Sequence, residues 1–126
     1  MNKTILVIED EKASRDLLVR VFQKENFTVL QAENGKTGMK TALDMHPDLI
    51  LLDLLMPIMG GIEALKEIRK TKWGKTIPVI ILTNLSATDE KLVESMISER
   101  PAYYLIKSDW KIFDVVKKIK EVLRIN

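Results

Sequence analysis

Residues 48–57 read DLILLDLLMP, a run in which Leu49 to Leu52 are apolar, Asp53 is a carboxylate, and Leu54, Leu55 and Met56 are apolar again. Four consecutive large aliphatic residues are too few for a helix of ordinary length. They are the right number for a strand buried on both faces, the kind found in parallel sheets. A charge in such surroundings is costly unless something pairs with it. Asp53 therefore marks the end of a buried strand and needs a partner.

The pattern repeats along the chain. Short apolar, β-branched runs occur at Thr4–Ile8, Phe27–Leu30, Ile77–Leu82 and Tyr103–Ile106 as well as at Leu49–Leu52, and each reads as a strand. Between them lie stretches with helical spacing, carried by Leu17, Leu18, Val21 and Phe22; by Met39, Ala42 and Leu43; by Ile62, Leu65 and Ile68; by Leu92, Val93, Met96 and Ile97; and by Ile112, Val115, Val116, Ile119, Val122 and Leu123. Each is an apolar stripe on a polar helix. Five strands alternating with five helices predict a three-layer α/β domain, a parallel sheet with helices on both faces. Asn34-Gly35 marks a turn, Met56-Pro57 with Gly60-Gly61 a loop, and Ser86–Asp89 the cap of the fourth helix.

With 126 residues, 46% hydrophobic and 30% charged, the composition is that of one ordinary globular domain. A single domain over residues 1–126 with no attached output domain is expected. No apolar run approaches the roughly 20 residues of a spanning helix, and the acidic N-terminus is unlike a signal peptide, so the expected location is the cytoplasm. The absence of cysteine excludes disulfides, thiol catalysis and thiolate zinc sites, leaving oxygen ligands for any metal. A net charge of +2 does not make the protein a bulk polyanion binder. Two basic segments, Lys66–Lys75 and Lys111–Arg124, lack aromatic or glycine-rich recognition patterns and read as solvated helix faces.

In an open parallel sheet, ligands sit beyond the carboxyl ends of the strands. Here the first strand runs into Glu9-Asp10-Glu11, the third into Asp53, the fourth into Thr83-Asn84 and the fifth into Lys107-Ser108. Two carboxylates ~4 Å apart repel by about 4 kcal/mol at an effective dielectric of about 20, so an acidic cluster wants a cation. With oxygen ligands alone, a hard divalent ion such as Mg²⁺ fits. A phosphoryl group on Asp53 would have its oxygens shared between that ion, the Lys107 ammonium and the Thr83 hydroxyl. Taken singly, Glu9, Asp10 and Glu11 read equally well as caps of the first helix, whereas Lys107 alone reads more readily as a surface lysine and Thr83 alone as an ordinary strand-end residue. The constellation in strand order is what carries weight.

The motifs ILVIEDE at 5–11, DLILLDLLMPIMGGIE at 48–63, PVIILTN at 78–84 and YYLIK at 103–107 together resemble the receiver domains of two-component response regulators, over essentially the whole chain and in a stand-alone, chemotaxis-receiver-like form. The resemblance implies a flavodoxin-like fold with strand order 2-1-3-4-5. It implies that Asp53 accepts a phosphoryl group and that Asp10 ligates Mg²⁺ directly, Glu9 mainly through water, with Asp53 and the backbone carbonyl of Leu55 as further ligands. Lys107 would hold a phosphoryl oxygen, Thr83 would move toward the phosphoryl group, and Tyr104 would turn inward behind it, Tyr103 pointing to the other face. The implied partners are a sensor histidine kinase and a downstream protein reading the fourth helix, fifth strand and fifth helix, with no direct nucleic acid, no membrane, and a monomer or weak dimer. The implied role is a switch rather than an enzyme.

Four departures from that family stand out. Ser108 stands where proline is usual after the lysine, which predicts a trans peptide there. Arg100-Pro101-Ala102 replaces a common Gly-Ala, and Asn84 replaces a small residue and narrows access to Asp53. Leu55 and Leu85 offer no hydrogen bond to a hydrolytic water, which predicts a long-lived acyl phosphate. Trp110 reads equally as a partner contact or a packing anchor, and His46 as a surface residue. The main alternative is a receiver-like adaptor that binds partners without phosphorylation. An aspartate-nucleophile phosphatase would want a carboxylate at Leu55, and a flavodoxin-type cofactor site would not tolerate Asp10-Glu11 beside a flavin phosphate.

Overall fold

The structure is a computed structural model that describes residues 2–54, 59–84 and 90–126. The expectations for Leu55, Met56, Pro57, Leu85 and Ser86–Asp89, and for the side chains of Leu92 and Val93, fall outside the described residues. The elements follow one another as β1 Thr4–Ile8, α1 Lys12–Lys24, β2 Thr28–Ala32, α2 Gly35–Met45, β3 Leu49–Leu52, α3 Gly61–Arg69, a 3₁₀ turn Trp73–Lys75, β4 Val79–Thr83, α4 Glu90–Ser98, β5 Tyr103–Ile106, a second 3₁₀ turn Lys107–Asp109, and α5 Ile112–Leu123. The strands form one parallel sheet in the order β2-β1-β3-β4-β5. This is the flavodoxin-like, three-layer α/β fold expected from the sequence.

The continuous apolar runs resolve into two alternating faces, because successive side chains of a strand point to opposite sides of the sheet. Ile5, Val7, Leu49, Leu51, Ile80, Leu82 and Leu105 pack with Leu18 and Phe22 of α1 and Val115, Val116 and Ile119 of α5. Leu6, Ile8, Ile50, Leu52, Val79 and Ile81 pack with Ala42 of α2, Leu65 and Ile68 of α3 and Met96 of α4. Tyr103 joins the first layer and Tyr104 the second, so the two tyrosines do point to opposite faces.

Several local expectations need correction. Strand β2 begins one residue later than its apolar run and continues to Ala32, whose carbonyl accepts from the Glu9 amide. Strand β4 begins at Val79 rather than Ile77 and reaches Thr83, since Pro78 has no N–H to give the ladder. Asn34 is more than a turn residue. Its Oδ1 accepts from the Thr37 amide at 2.8 Å and caps α2. In α1 the inward stripe is Leu18, Val19 and Phe22, while Leu17 is 51% exposed, and in α4 Ile97 is likewise exposed.

The reading of Lys66–Lys75 as a wholly solvated face fails at Arg69, which is only 9% exposed. Its guanidinium donates to the carbonyls of Gly74 (2.9 Å), Ile77 (2.6 Å), Glu99 (2.9 Å) and Arg100 (3.3 Å). It ties the end of α3 to the end of α4, with carbonyl oxygens replacing the water lost on burial. His46 is exposed, as expected, and stacks on Trp73 with ring centroids 4.4 Å apart.

Candidate phosphoacceptor and metal site

Sheet register brings the site together. Ile8 pairs with Leu52, so Glu9 and Asp53, each the next residue, leave the sheet side by side. Leu52 pairs with Ile81 and Thr83 with Ile106, which puts Thr83 and Lys107 at the same edge, one and two strands from Asp53. The Asp53 amide donates to the Ile8 carbonyl at 3.0 Å, fixing the Asp53 end of β3 to β1. On the far side Gly61 packs against the same strand end: a Cβ there would collide with the Asp53 carbonyl oxygen and the Leu54 backbone.

Lys107 lies 98 residues from Glu9 in sequence and 54 from Asp53, and its Nζ donates to both, at 2.9 Å to Glu9 Oε1 and 3.3 Å to Asp53 Oδ2. Glu9 is 2% exposed, Asp53 7% and Thr83 0%. Glu9, Asp10 and Asp53 bring one carboxylate oxygen each within 4.8 Å of one another. Glu11 stands apart from this group, at the N-cap of α1, where its side chain makes no capping bond. The Tyr104 ring packs against the second core layer. Asn84 is exposed beyond Thr83, the Lys107–Ser108 peptide is trans, and Arg100 adopts a left-handed conformation at φ 55.

Burial and the neighbouring Asp53 push the Glu9 carboxyl from its ordinary 4.5 up to about 7, against the opposing pull of Lys107. Burial alone would lower the Lys107 ammonium, but its bonds to Glu9 and the charge of Asp53 carry it above the usual lysine value. Burial also raises the Tyr104 phenol. Among the described residues, one ammonium thus bonds two buried carboxylates, with a third carboxylate beside them. The donor set is all oxygen and its spacing suits a hard divalent ion. Among the described residues the cluster fits Mg²⁺ through Glu9, Asp10 and Asp53.

The sequence matches the family model described as the response regulator receiver domain over residues 5–120. This chain belongs to the response regulator receiver domain family. The receiver domain is a phosphoacceptor signalling module of two-component systems rather than a conventional enzyme. This receiver domain is 39% identical over 89 residues to sporulation initiation phosphotransferase F of Bacillus subtilis, covering 71% of this chain and 70% of that one. It is 30% identical over 124 residues to the phosphate regulon transcriptional regulatory protein PhoB of Pseudomonas aeruginosa, covering 98% of this chain and 53% of the relative. The chain therefore spans about half the length of PhoB. Among solved structures, the response regulator TrrA of Thermotoga maritima, in complex with Mg²⁺–BeF, superimposes with a TM-score of 0.81 at 34% identity, covering 94% of this chain and 97% of that one. Chemotaxis protein CheY4 of Vibrio cholerae matches the fold with a TM-score of 0.86 at 22% identity, over 97% of this receiver domain and 99% of that chain.

Two polar residues of this receiver domain escaped the sequence reading. Arg69 is described above. Arg15, at the end of the first turn of α1, donates from Nη1 to the carbonyls of Glu9 (2.9 Å) and Asp10 (3.3 Å) and from Nε to Gln31 Oε1 (3.3 Å). The signal available was a cation one turn into a helix that opens on three acids. Trp110 packs against the first core layer and also lines a groove of about 430 Å³ between α1 and α5, with Leu17 and Lys107 on its walls. Among the described residues no helix is long and apolar enough to cross a membrane.

Proposed function

We propose that Asp53 is the phosphoacceptor of this receiver domain and takes its phosphoryl group from the phosphohistidine of a sensor histidine kinase. The observation that supports this most directly is the bridging of Glu9 and Asp53 by Lys107, with the Asp10 carboxylate beside them. An Asp53 carboxylate oxygen attacks phosphorus, the phosphorus–nitrogen bond to the histidine breaks, and the departing imidazole recovers its electron pair and takes up a proton. The product is a mixed anhydride on Asp53. Glu9, Asp10 and Asp53 would hold Mg²⁺, which when bound neutralises charge on the phosphoryl oxygens. The Leu55 carbonyl belongs to the same proposal as a further ligand.

Lys107 is already held at hydrogen-bond distance from the acceptor, so it can follow the new phosphoryl oxygens with a short movement. Thr83 has its hydroxyl at the same edge, fully buried at the end of β4. In this reading Thr83 turns toward the phosphoryl group and Tyr104 occupies the space behind it, altering the surface formed by α4, β5 and α5. In the same reading a downstream effector recognises that surface through protein contacts, without direct nucleic acid or membrane contact. Inverting a 1:99 equilibrium requires the phosphoryl group to favour the active arrangement by roughly 5.5 kcal/mol. Bonds to Lys107 and Thr83 are the groups at hand to supply it.

The test is incubation with a small acyl phosphate and Mg²⁺, followed by intact-mass analysis. One phosphoryl group is expected on the wild type and none on Asp53→Asn or in the presence of a chelator. Equal labelling of Asp53→Asn overturns the assignment. Failure of the wild type to label with either a small donor or a histidine kinase favours the phosphorylation-independent adaptor.

A further inference from the structure

Arg15 has no part in the chemistry assigned above, yet it grips the segment that carries two of the three proposed ligands. Its Nη1 donates to the carbonyl oxygens of Glu9 at 2.9 Å and Asp10 at 3.3 Å, and its Nε donates to Gln31 Oε1 at 3.3 Å on β2. These carbonyls lie in the turn between the last residue of β1, Ile8, and the first of α1, Lys12. Rotation of either peptide plane there would swing the Glu9 and Asp10 side chains away from Asp53. The N-cap residue of α1, Glu11, makes no side-chain capping bond. The side-chain restraint on this turn comes instead from Arg15, which donates to its two carbonyl oxygens from inside the helix.

We propose that Arg15 is a positioning residue for the divalent ion: its planar fork fixes the peptide planes of Glu9 and Asp10, so that their carboxylates converge with that of Asp53. The inference rests on the metal reading above. Gln31 is the anchor that orients the guanidinium from the neighbouring strand. Arginine suits the task because its donors lie in a rigid plane, whereas a lysine ammonium is a mobile point charge. Groups that orient metal ligands from outside the coordination sphere typically account for about 10- to 100-fold in affinity.

Charge and geometry make opposite predictions here. A guanidinium close to a cation site repels the cation, so if charge were its only effect, a neutral side chain in its place would tighten Mg²⁺ binding. If Arg15 positions the ligands, the same change weakens binding. Isothermal titration of the full chain with Mg²⁺, alongside urea unfolding of each metal-free variant, separates the two. Arg15→Met and Arg15→Lys are each expected to bind Mg²⁺ about tenfold more weakly, and Gln31→Ala to fall between them and the wild type. Binding by Arg15→Met as tight as wild type, or tighter, overturns the proposal. A fall in urea midpoint with unchanged Mg²⁺ affinity also overturns it, since that is the mark of a purely structural residue. Should Arg15→Met not fold, Arg15→Lys and Gln31→Ala carry the same test. A wild type that binds no Mg²⁺ overturns the metal site itself, an outcome visible without any variant.

Discussion

Glu9 enters the sheet edge with its carboxyl pushed to about 7 by burial and by Asp53, and this has a definite consequence for stability. The folded state keeps a proton on Glu9 that the unfolded chain releases near the ordinary value of 4.5. Its contribution to stability is therefore fully present below about 4.5 and is lost as pH rises through about 7. Metal-free protein is expected to show a falling urea midpoint across that window, a loss of a few kcal/mol, and saturating Mg²⁺ should reverse it. A flat profile in chelator contradicts the burial argument. Asp53→Asn removes the charge that helps raise Glu9, so in chelator at pH 8 it should be more stable than wild type by about 1 kcal/mol. The advantage should vanish at pH 5, where wild-type Glu9 is already protonated and the lost bond from Lys107 to Asp53 counts against the variant. That Glu9, Asp10, Asp53, Thr83 and Lys107 would gather at one sheet edge was legible because each follows an apolar run that reads as a strand. Arg15 was not, because its role depends on two carbonyl oxygens, and a one-letter sequence does not say where carbonyls point.

Among the elements, α3 is held at both ends by contacts its apolar stripe does not reveal. At its start Gly61 lets the helix touch the end of β3, and Gly61→Ala would press a methyl group on the Asp53 carbonyl and the Leu54 backbone. That variant is expected to lose at least about 1 kcal/mol in urea unfolding and to bind Mg²⁺ more weakly, because the end of β3 must shift. At its close Arg69 satisfies four carbonyl groups from three stretches of chain. Arg69→Met should cost about 3 kcal/mol, since it leaves buried carbonyls without donors, and calorimetry or urea unfolding would register it. A loss below about 0.5 kcal/mol, the range of a solvated surface residue, would show that the helix face is open after all. The existence and type of each element were readable from periodicity. Their precise inward faces were less so: Leu17 and Ile97 fit the apolar stripes of α1 and α4 yet face outward, because which residues point inward depends on how each helix is rotated on the sheet.

For the whole molecule, the design is a two-layered core with a charged edge where, among the described residues, the Glu9, Asp10 and Asp53 carboxylates meet the Lys107 ammonium. Ligands that bind only the folded state raise its stability by mass action, about 2.7 kcal/mol at 100 times the dissociation constant. Mg²⁺ with beryllofluoride should therefore raise the melting temperature of the wild type well beyond Mg²⁺ alone, and should do so little or not at all in Asp53→Asn. An equal rise in both would place the phosphoryl mimic elsewhere. The sequence by itself determined the layer architecture, because strands buried on both faces must read as short aliphatic runs and the helices covering them as amphipathic stripes. It also determined the roster of carboxylates, hydroxyl and ammonium at the strand ends. Only the tertiary structure decided that one lysine bridges Glu9 and Asp53, that Arg15 and Arg69 donate to backbone carbonyl oxygens, and that burial raises the Glu9 carboxyl. Those properties depend on distance, burial and the direction of peptide planes, which exist only after residues remote in the chain have been packed together.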